Sequence, residues 1–448
     1  MANRSTRRSF LRSAAATGTA VMILSSRLVH GYAANSAVDV ACIGVGGQGT
    51  VNRKWLQNDG ANIVSLCDVD EGRLDAAMSD HPGASRWVDY RQMLQEQKNI
   101  DGVMVSTPDH THFPASVMAI KMGKGVCTEK PLTRTIWEAR ELGRLAKKHK
   151  VATQLDQEGH AGEGLRKGVE WVQSGLLGDV REVHIFTDRP IWPQGIAQRP
   201  ETKPVPKKLH WDLWIGSSPY RDCHEHLHPF QWRGWWDFGS GALGDMGCHF
   251  FDLSFWALKL GCPKTVEAVS EGNSRETFPN WSTVTYEFPA RGDLPPVTLK
   301  WYDGLKAPKT PGEPKEPNLP ERPAMLEAGR TFPRNGSMLV GSKNTMLVND
   351  TGGIRLIPES RMKDLQQPKP FIPRSPGHKK EWLAAIQGGP PASSNFTDYG
   401  GPLAECVLMG NLAVKAGKKV EWDGENLKAV NAPELDAFIH PEYRKGWV

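Results

Sequence analysis

The stretch VDVACIGVGGQGT, Val38–Thr50, decides how the rest of the chain is read. An apolar run passes without polar alternation into three spaced glycines, Gly44-x-Gly46-x-x-Gly49. A strand that is apolar on both sides belongs in a parallel sheet covered by helices on both faces. At this spacing the first glycine permits a tight turn, the second lets a pyrophosphate approach the backbone, and the third lets a helix pack closely on the strand. Gly47 and Gln48 complete the loop, and the helix that follows offers its free N–H groups to the phosphates. What separates this from an ordinary strand–helix turn is context. Asp68 closes the next strand candidate, NIVSLCDVD, 19 residues after Gly49. A carboxylate there accepts hydrogen bonds from both adenosine ribose hydroxyls and repels a 2′-phosphate, which favours NAD over NADP. Arg73, close by in sequence, keeps NADP as the second choice.

DGVMVSTPD, GVCTEKP and VATQL continue the alternation of buried strands with helix-length segments such as 134–149. The expected class is therefore α/β, with a doubly wound parallel sheet first. Ligands of such sheets bind outside the carboxyl ends of the strands. That rule places Thr107, Pro108 and His112 of STPDHTH, together with Glu129 and Lys130 of TEKP, at the cofactor. Lys130 can donate to a substrate hydroxyl and stabilise the alkoxide that develops on it. The competing reading of Glu129–Lys130 is a surface ion pair.

The chain has 448 residues with 39% hydrophobic content, enough for two domains. Arg4, Arg7, Arg8 and Arg12 precede an apolar stretch and then small residues near Ala33 and Ala34, the layout of a secretory signal. Arg7-Arg8-Ser9-Phe10-Leu11 has the form of a twin-arginine signal, which implies an exported, periplasmic protein. The expected organisation is a leader over 1–34, a nucleotide domain over 36–156 and a second domain over 157–448, with a Pro-rich loop at 306–334. The formal charge of +5 vanishes with the leader, because Arg4, Arg7, Arg8, Arg12 and Arg27 lie before residue 34 and no acid does. A neutral surface gives no reason to expect nucleic acid as a partner. No later apolar run reaches the ~20 residues of a membrane span. The seven cysteines are scattered, with no CxxC pair to suggest a zinc site or a disulfide scaffold.

GVGGQG, CDVD, STPDHTH and EKP, in this order, followed by GALGDMGCH, resemble the Gfo/Idh/MocA oxidoreductases, the family of glucose–fructose oxidoreductase and inositol dehydrogenase. TDRPIWP and the ending HPEYRKGW look most like exported, sugar-associated members. The resemblance implies a Rossmann domain followed by an α+β domain with an open, mostly antiparallel sheet. REVHIFTD, TVEAVSE, STVTYEF and VTLKWYD read as its strands. It also implies a homo-oligomer, and catalysis by the lysine, aspartate and histidine that match Lys130, Asp245 and His249. The residues agree with those roles. In a helix, Asp245, His249, Asp252 and Trp256 share one face, so Asp245 can orient the imidazole one turn away. A histidine titrates near neutral pH and can accept a carbinol proton.

Substrate contacts are sought among Gln157, His160, Trp192, Trp232, Arg233 and Tyr302, since sugars present C–H faces to aromatic rings and hydroxyls to polar groups. His224, His226 and His228 share a strand face but lack completing carboxylates or cysteines, so no metal is expected. The expected function is transfer of a hydride between a sugar or polyol carbinol and a tightly held NAD, which suits an exported enzyme. One alternative is a redox-neutral NAD-dependent glycosidase working by oxidation and elimination, with Tyr302, His160 and Glu158 as candidates for its extra base. Another is a non-catalytic sugar-binding protein that merely holds NAD.

Overall fold

A computed structural model describes residues 37–308, 312–363 and 365–448. The leader read at 1–34 lies outside the described residues. β1 (Asp39–Ile43), β2 (Asn62–Cys67), β3 (Ser85–Trp87), β4 (Gly102–Val105), β5 (Gly125–Glu129) and β6 (Thr153–Asp156) form a parallel sheet in the order β3-β2-β1-β4-β5-β6. Alternate side chains of its strands enter two separate cores, which is why the runs read as continuously apolar. Val40, Cys42, Leu66, Met104 and Cys127 pack on one side, against α1 (Gln48–Asn58) and α2 (Glu71–Asp80). Ala41, Ile43, Val103, Val105 and Val126 pack on the other, where α3 (Tyr90–Glu96), α4 (Asp109–Lys121) and α5 (Ile136–His149) lie. Capping follows the sequence closely. Asp70 accepts from the Gly72 and Arg73 N–H groups at the start of α2, and Thr135 with Glu138 forms a capping box on α5. The strand order reverses between β1 and β4, so the crevice opens at their carboxyl ends.

After α6 (Glu163–Gln173) the chain builds a second sheet. Its strands are β7 (Val180–Phe186), β8 (Thr265–Glu271), β9 (Trp281–Phe288), β10 (Val297–Lys306), β11 (Glu316–Pro317), β12 (Gly336–Gly341), β13 (Thr345–Asn349), β14 (Ile354–Ile357), β15 (Val420–Asp423) and β16 (Lys428–Ala429). Their order is β14-β13-β12-β7-β10-β9-β8-β15-β16, with β11 on β10. β7 and β10 run parallel and every other pairing is antiparallel. Burial alternates along β9 and β10, leaving one face of these strands wetter than the other. Leu299, Trp301 and Tyr286 face the core, where α7 (Gly241–Ala257) crosses the sheet; Phe251 of α7 stacks edge-on to Tyr286.

Two helices late in the chain tie the halves together. α8 (His378–Ile386) packs beneath the first sheet, its Trp382 and Leu383 buried among β-strand side chains. Gly102 and Gly125 make room for it, since a Cβ at Gly125 would stand 2.7 Å from Ile386 Cγ1. α9 (Gly401–Ala416) packs against both α7 and α5. The Pro-rich segment is mostly loop, but it packs where its lack of apolar period suggested none. Glu316–Pro317 pairs with β10, and Leu319, Leu326 and Phe332 pack against Phe186, Met338 and Ile357. Three apolar residues spread over this stretch form no period, so only the tertiary contact reveals the packing. None of the seven cysteines is disulfide-bonded, and Cys42, Cys67 and Cys127 are buried in the sheet. Among the described residues no helix is long and apolar enough to cross a membrane.

Candidate active site

The glycine loop stands at the mouth of the crevice. Gly44 has φ +79°, and a Cβ at Gly49 would lie 2.0 Å from the Gly44 carbonyl oxygen. No side chain caps the N-terminus of α1. Asp68 closes β2, where its carboxylate accepts from the N–H groups of Val45 and Asp70, both at 2.9 Å. A cleft of about 590 Å³ runs from this loop across the strand ends to α7. Gly44, Gly46, Gly47, Gln48, Asp68, Thr107, Pro108, Glu129 and Lys130 line it. An uncapped helix end, a turn with no room for a side chain and a carboxylate on the second strand all fit a dinucleotide. Gly49 serves the packing of α1 on β1 and lies behind the loop.

The far end of the cleft holds the ionisable groups. Lys130 Nζ donates to the Asp245 backbone oxygen at 2.8 Å and to Asp245 Oδ1 at 3.1 Å. Arg233 Nε donates to the same Oδ1 at 3.2 Å. Burial opposes charge on Lys130, but the carboxylates of Asp245 and Glu129 outweigh it and its pKa is raised. Burial would raise Asp245, yet Lys130 and Arg233 bring it below the ordinary carboxylate value. Contrary to the expectation that it titrates near neutral pH, the His249 imidazole is pushed down to about 3 by burial and then by the Lys130 charge, and is neutral at physiological pH. Glu129 is buried and accepts from Asn52 Nδ2 at 2.9 Å, so the pair at the end of β5 is no surface ion pair.

Several sequence expectations need correction. Asp245 does not orient His249 through a hydrogen bond: Lys130 and Arg233 both donate to its Oδ1, and His249 Nδ1 instead meets Gln157 Oε1 at 2.5 Å. Gln157 is buried behind the imidazole and does not line the cleft. His160 is also buried, bonded to Asp252 at 2.9 Å and stacked on Trp256. Trp192 is buried, donates to Gln194 and does not line the cleft. Tyr302 sits on the wetter face of the second sheet beside His184, away from the cleft. Of the substrate candidates, Trp232 and Arg233 alone reach the lining. The guanidinium of Arg233 lies over the rings of Trp232 and Phe230. His224 lies tilted against Trp235, His226 meets Gln231 and His228 faces Asp70, so the three rings diverge.

His112 is a further correction, being a strut between strand ends rather than a cofactor contact. Its ring nitrogens face the carbonyls of Pro131 and Thr107, both at 2.8 Å, and a neutral ring can donate to just one of them. Burial holds its pKa at about 4 against an ordinary 6.5. A depressed pKa means stability that is present above 6.5 and lost as pH falls through about 4. The stability of the wild type relative to His112→Gln is expected to rise by roughly 3 kcal/mol across that window. Denaturant titrations at several pH values check this; a pH-independent difference would contradict it.

Sequence reasoning passed over other lining residues. Asp109, the first residue of α4, accepts from Ser240 Oγ at 2.6 Å and is raised to about 7 by burial. It was visible within STPDHTH as a carboxylate at a strand end. Glu158, read earlier as a candidate base, does line the cleft; burial and the nearby Asp156 raise it to about 6. Asp156 is bonded to Lys379, which arrives on α8 with no local signal to announce it.

With this geometry in hand, comparison with known proteins is direct. The sequence profile of the Gfo/Idh/MocA oxidoreductases for an NAD-binding Rossmann fold matches residues 38–157, and the family's C-terminal α/β domain profile matches 166–293. The chain belongs to the Gfo/Idh/MocA oxidoreductase family. The family's first domain binds NAD, which agrees with the loop and Asp68. D-glucoside 3-dehydrogenase of Escherichia coli K12 is 24% identical over 229 residues, 50% of this chain and 56% of that protein. An α-N-acetylgalactosaminidase of Bacteroides fragilis is 27% identical over 154 residues, 33% of this chain and 36% of that protein. The matched segments thus span about half or less of these relatives' own lengths. The WlbA dehydrogenase of Chromobacterium violaceum, solved with NADH and UDP-GlcNAcA, shares the fold with a TM-score of 0.60 at 18% identity. That likeness covers 87% of this chain and 97% of WlbA.

Proposed function

We propose that this family member is an NAD-linked oxidoreductase acting on a carbinol of a neutral sugar or polyol. The observation that carries this reading is the single cleft in which Lys130, Asp245 and His249 stand opposite the glycine loop. NAD, when bound, supplies the acceptor or donor of the hydride. Gly44, Gly46, Gly47, Gln48 and Asp68 would hold it. The charged Lys130 ammonium hydrogen-bonds the reacting oxygen and favours its developing negative charge. The neutral His249 accepts the hydroxyl proton in the oxidative direction and returns it in the other. Asp245 keeps Lys130 charged and, through Arg233, fixes the aromatic wall of Trp232 and Phe230. Those rings offer stacking area for sugar C–H faces. A binding protein would have no use for the buried ammonium and imidazole together.

NAD is further proposed to stay bound between turnovers, and the Arg7-Arg8 leader to export the folded, loaded chain; the sequence of residues 1–34 supports the second point. The test is to denature purified protein and assay the released nucleotide, then add D-glucosides and polyols to the native protein without free NAD. Expected are near-stoichiometric NAD and a rise in reduced-nicotinamide absorbance with at least one sugar, absent in Lys130→Met. No absorbance change with any sugar would overturn the reading. A second reading, redox-neutral glycoside cleavage, is favoured by Glu158, a cleft carboxyl poised near pH 6 to move a second proton. Release of nitrophenol from an aryl N-acetylgalactosaminide with no net change in reduced nicotinamide would select it.

A further inference from the structure

The imidazole of His249 has two nitrogens, and a neutral ring is basic at just one. Which one faces the cleft as a lone pair decides whether the residue can accept a proton at all. Its helix neighbour Asp245 does not choose, being engaged with Lys130 and Arg233. The contacts behind the ring form a continuous chain instead. His249 Nδ1 meets Gln157 Oε1 at 2.5 Å, and Gln157 Nε2 donates to Asp252 Oδ2 at 3.2 Å. Asp252, one turn along α7 from His249, also receives His160 Nδ1 at 2.9 Å and the Tyr399 hydroxyl on Oδ1. Gln157, Asp252 and His160 are each no more than 1% exposed.

We infer that Gln157 and Asp252 act as one positioning unit that fixes the tautomer of His249, and with it the nitrogen that is basic toward the cleft. This rests on the reading of His249 as the proton acceptor. A carboxylate that already receives His160 and Tyr399 acts as an acceptor alone, so the Gln157 amide must turn its NH₂ toward Asp252. Its oxygen is then committed to His249. An acceptor at Nδ1 requires Nδ1–H, and the neutral ring is left with its lone pair on Nε2. Were the amide reversed, its oxygen would face the carboxylate without a proton between them. Its NH₂ would meet Nδ1 as a donor, demanding a lone pair there. Nε2 would then carry the hydrogen and offer the substrate hydroxyl a donor instead of a base. Two uncharged states of the same ring, one competent and one not, are thus separated by the orientation of a single amide. That orientation is locked by a carboxylate that touches neither the cleft nor the imidazole. His160 and Tyr399, packed ring against ring, hold the carboxylate from behind.

The experiment is a long-range ¹H–¹⁵N spectrum of the NAD-loaded protein with ¹⁵N-labelled histidine, recorded at neutral pH, with His249→Gln assigning the resonance. The wild-type ring is expected to give the pattern of Nδ1–H with an unprotonated Nε2. Gln157→Met, which removes the acceptor oxygen at similar volume, is expected to move the ring toward Nε2–H. Its kcat should fall by up to about 10⁴-fold, the scale of loss when a catalytic histidine is held in the wrong tautomer, with KM and NAD affinity nearly unchanged. Asp252→Asn, which can present an NH₂ to the amide and free it to turn, is expected to give the same spectral shift. A wild-type His249 found as Nε2–H overturns the inference whether or not either variant folds. So does an unchanged tautomer in folded Gln157→Met. The spectrum is read without turnover, so the two readings fail separately. Nδ1–H in the wild type alongside an active His249→Ala would leave this inference standing and remove the proton-acceptor role.

Discussion

Replacing His249 by alanine is expected to lower kcat by about 10²–10⁴-fold while NAD affinity stays within about a factor of two. The affinity is spared because the groups that would hold the dinucleotide, the glycine loop and Asp68, lie on β1, α1 and β2, whereas His249 is carried by α7. The rate is lost because, among the described residues, no other side chain takes the place of the imidazole on Gln157 Oε1. Asp245 is spent on two cations, and His160 is shut behind Asp252. Because the His249 ring is already neutral, its loss changes no charge in the cleft, and Lys130 keeps its ammonium partnered by Asp245. The deletion therefore reports proton transfer rather than collapse of the ion pair. Steady-state kinetics on whichever sugar reduces the cofactor, with NAD titrated separately by tryptophan fluorescence, make the comparison. Turnover within tenfold of wild type would remove His249 from the reaction.

Gly49→Ala is expected to have the second large effect, and on binding rather than on chemistry. Its Cβ would stand 2.0 Å from the Gly44 oxygen, a backbone atom that no rotamer can move aside. Either α1 shifts away from β1 or the turn opens, and both displace the N–H groups offered to phosphate. Overpacking of this kind costs about 1–3 kcal/mol of stability, and NAD affinity is expected to fall about 100-fold, a difference of about 2.7 kcal/mol. Gly47→Ala is the control. Gly47 has φ +54° and ψ −120° but nothing within 4 Å of a built Cβ, so its cost is about 1–3 kcal/mol of backbone strain without a clash. Calorimetric titration of NAD into both variants after removal of bound nucleotide, with circular dichroism as the check on folding, separates a steric from a purely conformational role for the loop. Equal losses would contradict the packing argument.

Most of the first sheet was legible in the chain because each buried strand carries its own apolar run. β3 escaped because it has three residues, none of them buried. β12 to β14 escaped because they are short and sit between the Pro-rich segment and a polar stretch, where no long period can register. In the site, Lys130 was legible from its place at a strand end, and Asp245 and His249 from their spacing on one helix. The partnerships were not. Asp245 binds a lysine 115 residues away and His249 a glutamine 92 residues away, and sequence spacing cannot choose between such partners and the near neighbour. His112 misled for the opposite reason. It stands where a ligand contact belongs, but its ring is consumed in holding two strand ends together.

The helix at His378–Ile386 bears on how such a chain can change over evolutionary time. Its Lys379 is bonded to Asp156 at the carboxyl end of β6, and its Trp382 and Ile386 lie against the bare backbone of Gly102 and Gly125. The nucleotide-holding half is therefore not a detachable cassette. A recombination that exchanged residues up to 157 for a relative's counterpart would inherit a notch cut for a foreign tryptophan. It would also strand the buried Lys379 ammonium wherever the incoming segment lacks an acid at position 156, a loss of about 3–5 kcal/mol. Shuffling within this architecture must carry the distant helix along or rebuild the floor of the sheet.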